Sequence, residues 1–363
     1  MGIALAGVVW LWPAGWRWIA PALSPFLAIG GALAVRAVSL TALAALPMLA
    51  LVAMRRRFWC RRLCPVGLIS ESCGKLRPAR PSGGAPWPTP PGRILALATL
   101  GGALLQFPIF LWMDPLALFG AAFNVARIDG SAASILATFG LPLMIAVSVF
   151  WPGQWCARLC PLGATQDLIA IGGATRQHGR RSFFAVAGGA AVALLLPVRW
   201  LKARLPLRPP GAVDEVAFEG GCIRCGSCVR ICPTRIIQPA LADGPASGPL
   251  APQLRFREAD YCLQDCNRCG LVCPTGVIRP LPLVEKNKRV IGVAKVDLAA
   301  CLLTLDKECG VCIPRCPRAA IIDSFAYETY TTSIQVLADR CNGCGACVGV
   351  CPPKVIRIEA VRA

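Results

Sequence analysis

Histidine is almost missing from this chain: His178 stands alone in 363 residues. A bis-histidine haem needs two such ligands, so that cofactor is excluded. The lone imidazole, beside two arginines, reads as a solvated loop residue. No Cys-x-x-Cys-His occurs, which excludes covalently attached c-type haem. No Gly-x-Gly-x-x-Gly lies between a strand-like and a helix-like segment, so no dinucleotide or flavin motif is visible. No nucleophile–base constellation is visible either. Acidic side chains are scarce, 19 against 38 basic ones, giving a formal charge of +19. That excess would suit nucleic acid, but its placement argues for no nucleic-acid partner. Sixteen basic and four acidic residues precede residue 199, mostly in loops beside apolar stretches. The smaller excess that follows is of a size that bound anionic cofactors would cancel.

What the chain has in abundance is cysteine, 21 in all. Sixteen lie between residues 222 and 351, in four runs of four. The first is Cys222, Cys225, Cys228 and Cys232, followed by Pro233; the last is Cys341, Cys344, Cys347 and Cys351, followed by Pro352. Between them lie Cys262, Cys266, Cys269, Cys273 with Pro274, and Cys301, Cys309, Cys312, Cys316 with Pro317. All four end Cys-x-x-Cys-x-x-x-Cys-Pro. This is the spacing of a bacterial ferredoxin run, in which three closely spaced thiolates wrap one cubane and the fourth serves its neighbour. Gly226, Gly270 and Gly345 permit the close backbone approach such a loop needs. Structural zinc sites use two Cys-x-x-Cys pairs separated by a longer loop, and cysteines two apart on a tight loop pair poorly as disulfides. Four 4Fe–4S clusters are therefore expected. A nested arrangement, first run with fourth and second with third, is the expected pairing.

The first half is apolar in stretches, at roughly 2–12, 18–35, 37–54, 94–112, 133–151 and 183–198. A repeat runs through it. Ser24-Pro25-Phe26-Leu27 is followed by an apolar segment and Trp59-Cys60-Arg61-Arg62-Leu63-Cys64-Pro65-Val66-Gly67; Asp114-Pro115-Leu116-Ala117 is followed by another and Trp155-Cys156-Ala157-Arg158-Leu159-Cys160-Pro161-Leu162-Gly163. Glu71 and Asp167 fall at equal distance after their cysteine pairs. The hydrophobicity predicts an N-terminal α-helical transmembrane bundle joined to a C-terminal α+β ferredoxin-like domain. Basic residues concentrated in 55–93 place both Cys-x-x-x-Cys-Pro loops on the cytoplasmic side. The stretch before Pro13 is too short for a span of about 30 Å, so the natural start is expected upstream. Cys60, Cys64, Cys156 and Cys160 could together supply four thiolates for a fifth cluster; a redox dithiol and plain structural cysteines remain open. Cys73 has no partner at motif spacing and reads as an ordinary thiol.

Arg180-Arg181 ahead of Phe183-Phe184 and a weak apolar segment reads as an internal twin-arginine export signal that stays as an anchor. The expected organisation is a polytopic membrane domain over 1–177, the twin-arginine segment and anchor over 178–200, a linker over 201–221, and a ferredoxin-like domain over 222–363. The protein is placed in the inner (cytoplasmic) membrane as a multi-pass chain, with the ferredoxin domain on the periplasmic side.

On these motifs residues 20–170, with their two Trp-Cys-x-x-x-Cys-Pro-x-Gly loops, resemble the NapH/MauN membrane iron–sulfur proteins. Residues 178–363 resemble the NapG/MauM ferredoxin-type proteins, through the twin arginine, Arg208-Pro209-Pro210-Gly211-Ala212, the Cys222 run and the seven-residue gap between Cys301 and Cys309. The resemblance implies a fusion of the two. It also implies passage of electrons from the membrane quinol pool to a periplasmic reductase or other redox partner protein. Quinol oxidation needs a proton acceptor, for which Glu71, Asp114 and Asp167 are candidates; loop capping or a salt bridge is the alternative for each. An accessory role, supplying electrons for metal-centre assembly, is the alternative for the whole chain.

Overall fold

Prolines and glycines cut the apolar stretches into short pieces, and this decides the architecture of the first half. The computed structural model describes residues 19–36, 43, 45–76, 90–122, 132–151, 153–171, 180–195, 205–240, 250–256, 260–305, 307–327 and 330–361. Pro25 splits the run at 18–35 into α1, Ile19–Ala22, and α2, Pro25–Val35. Pro47 lies in the first turn of α3, Leu46–Met54. After α4, Phe58–Arg62, come α5, Pro65–Leu76, and α6, Pro91–Leu104. Then follow α7, Pro115–Ala122, α8, Ala132–Thr138, and α9, Gly140–Phe150. A π-turn at Trp155–Leu159 leads into α10, Pro161–Ile169, and α11 is Arg180–Leu195.

Two expectations are corrected here. An α-helix needs about 20 apolar residues to cross a bilayer. The longest helix among the described residues, α11, has 16 residues. Among the described residues no helix is long and apolar enough to cross a membrane. The N-terminal transmembrane bundle is therefore not supported, and neither is the multi-pass placement in the inner membrane with a periplasmic domain. The run at 2–12, His178 and the side chain of Cys73 lie outside the described residues.

The short helices pack on one another instead. Phe26, Leu27, Val52, Trp59, Leu111, Leu116 and Leu162 form a common core. α6 and α11 touch through glycine: a Cβ on Gly101 would stand 2.1 Å from the Val186 carbonyl oxygen, and one on Gly189 2.1 Å from that of Ala98. Only glycine lets two helix backbones approach so closely.

The second half consists of two ferredoxin-type modules in sequence. α12, Glu215–Gly221, is capped by Asp214, whose side chain accepts from Ala217 N–H. The first module pairs β1, Ile237–Pro239, with β2, Pro252–Leu254, antiparallel, and bridges Ala212 to Ile278. The second pairs β3, Val293–Val296, with β6, Ile356–Glu359, and β4, Ile321–Ala326, with β5, Thr331–Val336. In each module the segment before one cysteine run pairs with the segment after the other. Each run also ends in the same turn. The third residue after the fourth cysteine donates its N–H to that cysteine's carbonyl in all four cases, at 3.4 Å for Arg235, 3.3 Å for Gly276, 3.1 Å for Ala319 and 3.1 Å for Lys354. All four of these residues have left-handed backbone, with φ of 54°, 73°, 46° and 55°. The proline that follows the cysteine presets the turn.

The two halves meet along a seam. Arg230, buried in the first module, donates to the Gly120 carbonyl at the end of α7 at 2.6 Å. Ile223 and Cys225 belong to the core of the N-terminal helices. Arg208, in the proline-rich stretch before α12, is buried in ion pairs with Glu215 and Glu219.

Candidate functional site

The four runs do not form four self-contained groups, and they do not nest. Cys222, Cys225 and Cys228 line one hollow with Cys273, the last cysteine of the second run. Cys262, Cys266 and Cys269 line another with Cys232, the last of the first run. In the second module Cys301, Cys309 and Cys312 line a hollow with Cys351. Cys344 acts electrostatically on the Cys347 thiol, and both share the neighbourhood of Cys341 and Cys316. The expected pairing of first with fourth is thus replaced by first with second and third with fourth. The reason lies in the strands: β1–β2 and the Ala212–Ile278 bridge close the first module before the third run begins.

Short helices carry each exchange. Ser227–Ile231 holds Cys228 and ends at Cys232; Cys312–Arg315 holds Cys312 and ends at Cys316. The three-residue gap therefore sends consecutive cysteines to neighbouring hollows. In the first run the loop winds through left-handed backbone at Arg224 (φ 56°) and Gly226 (φ 69°); in the fourth run the same positions are Gly343 (φ 75°) and Gly345 (φ 84°). Arg224 holds that conformation with a bond from its guanidinium to the Cys222 carbonyl at 2.8 Å and a salt bridge to buried Glu219 at 3.1 Å.

The Trp-Cys-x-x-x-Cys-Pro repeats converge as well. Cys64 and Cys160 share one core, and the Cys160 thiol feels the charges of Cys60, Cys64 and Cys156. The two loops are built alike. Cys64 N–H donates to Trp59 carbonyl at 2.9 Å, and Cys160 N–H to Trp155 carbonyl at 2.8 Å. Arg57 and Gly153, at matching positions, have φ of 56° and 74°. A Cβ on Gly67 would lie 2.7 Å from the Cys60 carbonyl oxygen, and one on Gly163 3.2 Å from that of Cys156. At the far end the repeats touch again: the Ser24 hydroxyl donates to the Asp114 carboxylate at 2.7 Å, and both residues are fully buried.

The three carboxylates singled out from sequence do not converge. Asp114 caps α7, accepting from Leu116 N–H at 2.8 Å. Burial pushes its carboxyl up to about 6 against the pull of Ser24 and the backbone N–H groups of Leu116 and Ala117. Asp167 bridges Arg56 and Arg57, both at 2.7 Å. Partial burial works against its charge, but those two hydrogen bonds outweigh it and hold the carboxyl below the usual range. Glu71 is exposed on α5.

Burial raises several of the thiols, Cys60 and Cys222 to about 12, Cys262 and Cys312 to about 11. A metal ion that binds the sulfur of such a thiol displaces its proton, and iron does so. Among the described residues no group of three or more His, Cys, Asp or Glu closes tightly enough for a single ion. Thiol quartets around a hollow instead suit a cubane, whose four irons each take one sulfur. Sequence reasoning missed the polar residues that touch the N-terminal thiols. Gln166 Nε2 donates to Cys60 Sγ at 3.0 Å, and the Ser70 hydroxyl bonds to Cys156. Each stands ten residues after a first cysteine, an offset visible in the repeat.

Modules and thiol hollows of this kind define an iron–sulfur protein of the ferredoxin type. Sequence families bear this out: a 4Fe-4S dicluster domain matches residues 221–277, a 4Fe-4S binding domain residues 334–357, and another 4Fe-4S binding domain both 35–82 and 134–176. The ferredoxin-type protein NapG of Escherichia coli is 34% identical over 192 residues, covering 48% of this chain and 82% of that protein. The methylamine utilization ferredoxin-type protein MauM of Methylobacillus flagellatus is 34% identical over 183 residues, 48% of this chain and 76% of its own. The ferredoxin-type protein NapF of Escherichia coli is 30% identical over 172 residues, 47% and 94%. No solved structure matches. Over about half its length the chain belongs to the NapG/MauM family of ferredoxin-type electron-transfer proteins. A fusion to a NapH-type membrane protein does not emerge from these similarities.

Proposed function

We propose that the chain holds five 4Fe–4S clusters in a row and relays electrons from a quinol, at the N-terminal thiol quartet, to a redox partner protein at the far end. When bound, the clusters supply one-electron oxidation and reduction. The sixteen ferredoxin cysteines hold four of them; Cys60, Cys64, Cys156 and Cys160 hold the fifth. The observation that carries the reading is the crosswise sharing of cysteines, which makes the two groups within each module adjacent. Cys225 packs in the same core as Cys64 and Cys160, linking the quartet to the first hollow. The Cys228–Cys232 helix links that hollow to the second. Cys262 N–H donates to the Cys344 carbonyl at 2.8 Å, which joins the second to the group of Cys316, Cys341, Cys344 and Cys347. The Cys312–Cys316 helix reaches the last, with Cys301, Cys309 and Cys351. A quinol suits the quartet end because exposed apolar side chains flank its loops: Met54 before the first, Phe150 and Trp151 before the second, and Ile171, whose N–H bonds to the Ala53 carbonyl.

The test is anaerobic. Iron analysis and low-temperature electron paramagnetic resonance compare the wild-type chain with a Cys60→Ser, Cys156→Ser variant, before and after a reduced menaquinone analogue is added. The variant is expected to lose one cubane, about four irons, and to stop accepting electrons from the quinol while dithionite still reduces the rest. Full iron retention in the variant would remove the fifth cluster. Absence of quinol bleaching in the wild type would remove the quinol and leave an accessory role in metal-centre assembly.

A further inference from the structure

The two repeats exchange more than cysteines. Gln166 on α10, in the second repeat, bonds to Cys60 of the first; Ser70 on α5, in the first, bonds to Cys156 of the second. The two donors occupy matching positions, ten residues after Cys156 and Cys60. Both are buried, Gln166 at 0% and Ser70 at 4% exposure, in helices whose neighbouring faces are apolar. A buried amide or hydroxyl costs stability unless it is bonded, so its place there calls for an acceptor. The amide Oε1 of Gln166 has no partner. Its Nε2 meets sulfur at 3.0 Å, within reach of a donor to a thiolate. The Cys64 and Cys160 sulfurs, by contrast, accept from backbone N–H groups at the starts of α5 and α10, from Val66 and Gly67 and from Gly163. The quartet thus receives its main-chain donors from its own repeat and its side-chain donors from the opposite one.

We propose that Gln166 and Ser70 are positioning residues of the N-terminal quartet that set the reduction potential of the group it holds, each acting on the first cysteine of the opposite repeat. A donor to a ligand sulfur stabilises the more negative, reduced state, and so raises the potential. The pair is unequal, an amide on Cys60 and a hydroxyl on Cys156, so the two sides of the quartet differ in electron affinity. This rests on the reading of the quartet as a cluster site.

The experiment is a redox titration of the cluster-loaded chain, followed by electron paramagnetic resonance, for Gln166→Met, Ser70→Ala and Ser70→Thr. Methionine matches glutamine in length and removes only the donor; threonine keeps the hydroxyl. One hydrogen bond of typical net strength changes the oxidised-to-reduced ratio at fixed ambient potential by about threefold to tenfold. Gln166→Met and Ser70→Ala are expected to favour the oxidised form by that factor in one cluster, with iron content and the other signals unchanged. Ser70→Thr is expected to behave as wild type. The cluster that shifts should be the one lost in the Cys60→Ser, Cys156→Ser variant. An unshifted potential with iron retained would overturn the role of Gln166 and Ser70 alone. A double cysteine variant that keeps all its iron would overturn the cluster site itself, and this inference with it.

Discussion

A single buried carboxyl shows how local physics decides a residue's role. Asp114 is one of the three carboxylates that the sequence offers as a proton acceptor, with loop capping or a salt bridge as the alternative. In the fold it caps α7 and binds Ser24, its counterpart in the other repeat, out of reach of solvent. Its carboxyl is raised to about 6 from an unfolded value near 3.9. The protonated form is therefore favoured by folding. That contribution, roughly 2–3 kcal/mol, is complete below about pH 4 and is lost as pH rises through 6. Asp114→Asn stays neutral and can keep the cap, with the Ser24 hydroxyl turning from donor to acceptor. Thermal unfolding of the loaded chain is expected to show the variant gaining on the wild type as pH rises from 5 to 7. A constant difference across that range would show that Asp114 is ionised throughout. Arg224 marks the limit of reading at this scale. Glycine at 226, 343 and 345 announces left-handed backbone, but arginine at 224 does not, because its compensation by Glu219 and the Cys222 carbonyl is tertiary.

At the scale of elements, the cysteine runs were legible and the apolar runs were misleading. Three cysteines in seven residues with a fourth before proline admit few other uses. Hydrophobicity alone does not separate a membrane span from packed short helices; the prolines at 25 and 47 and the break between α8 and α9 do. The pairing of runs was not legible, since it depends on which strands close each module. The α6–α11 contact was not legible either, because glycine in an apolar run has many uses. Its consequence can be measured. Gly189→Leu would drive a side chain into the Ala98 carbonyl and is expected to separate the helices, at a cost of several kcal/mol if α11 cannot shift. Faster proteolysis within α11 would report it. Gly188→Leu, where a Cβ meets nothing within 4 Å, is the matched control and should leave cleavage unchanged.

At the scale of the whole molecule, the groups of the proposed relay do not follow the order of the chain. The fourth run contributes the group next to the second module's junction with the first, and the third run contributes the far end. Two substitutions separate this order from the nested one. Cys351→Ala is expected to perturb the group of Cys301, Cys309 and Cys312, at the end of the row, and to leave quinol-dependent reduction of the other groups intact. Cys316→Ala strikes the group of Cys341, Cys344 and Cys347, and is expected to cut the end group off from that electron supply while dithionite still reduces it. Paramagnetic resonance after each reductant distinguishes the two.

The shared cysteines also set a timetable. No hollow in the second half is complete with cysteines from one run, so the first waits for Cys273 and the third for Cys351. On an emerging polypeptide, the groups of Cys222 and Cys301 have three thiols ready long before the fourth arrives, whereas Cys232 and Cys316 each wait for three later partners. In the proposed relay, iron delivery to the second module must then follow synthesis of Cys351, and a chain released early, before residue 341, would leave both of that module's groups incomplete and end the conductor at the first module.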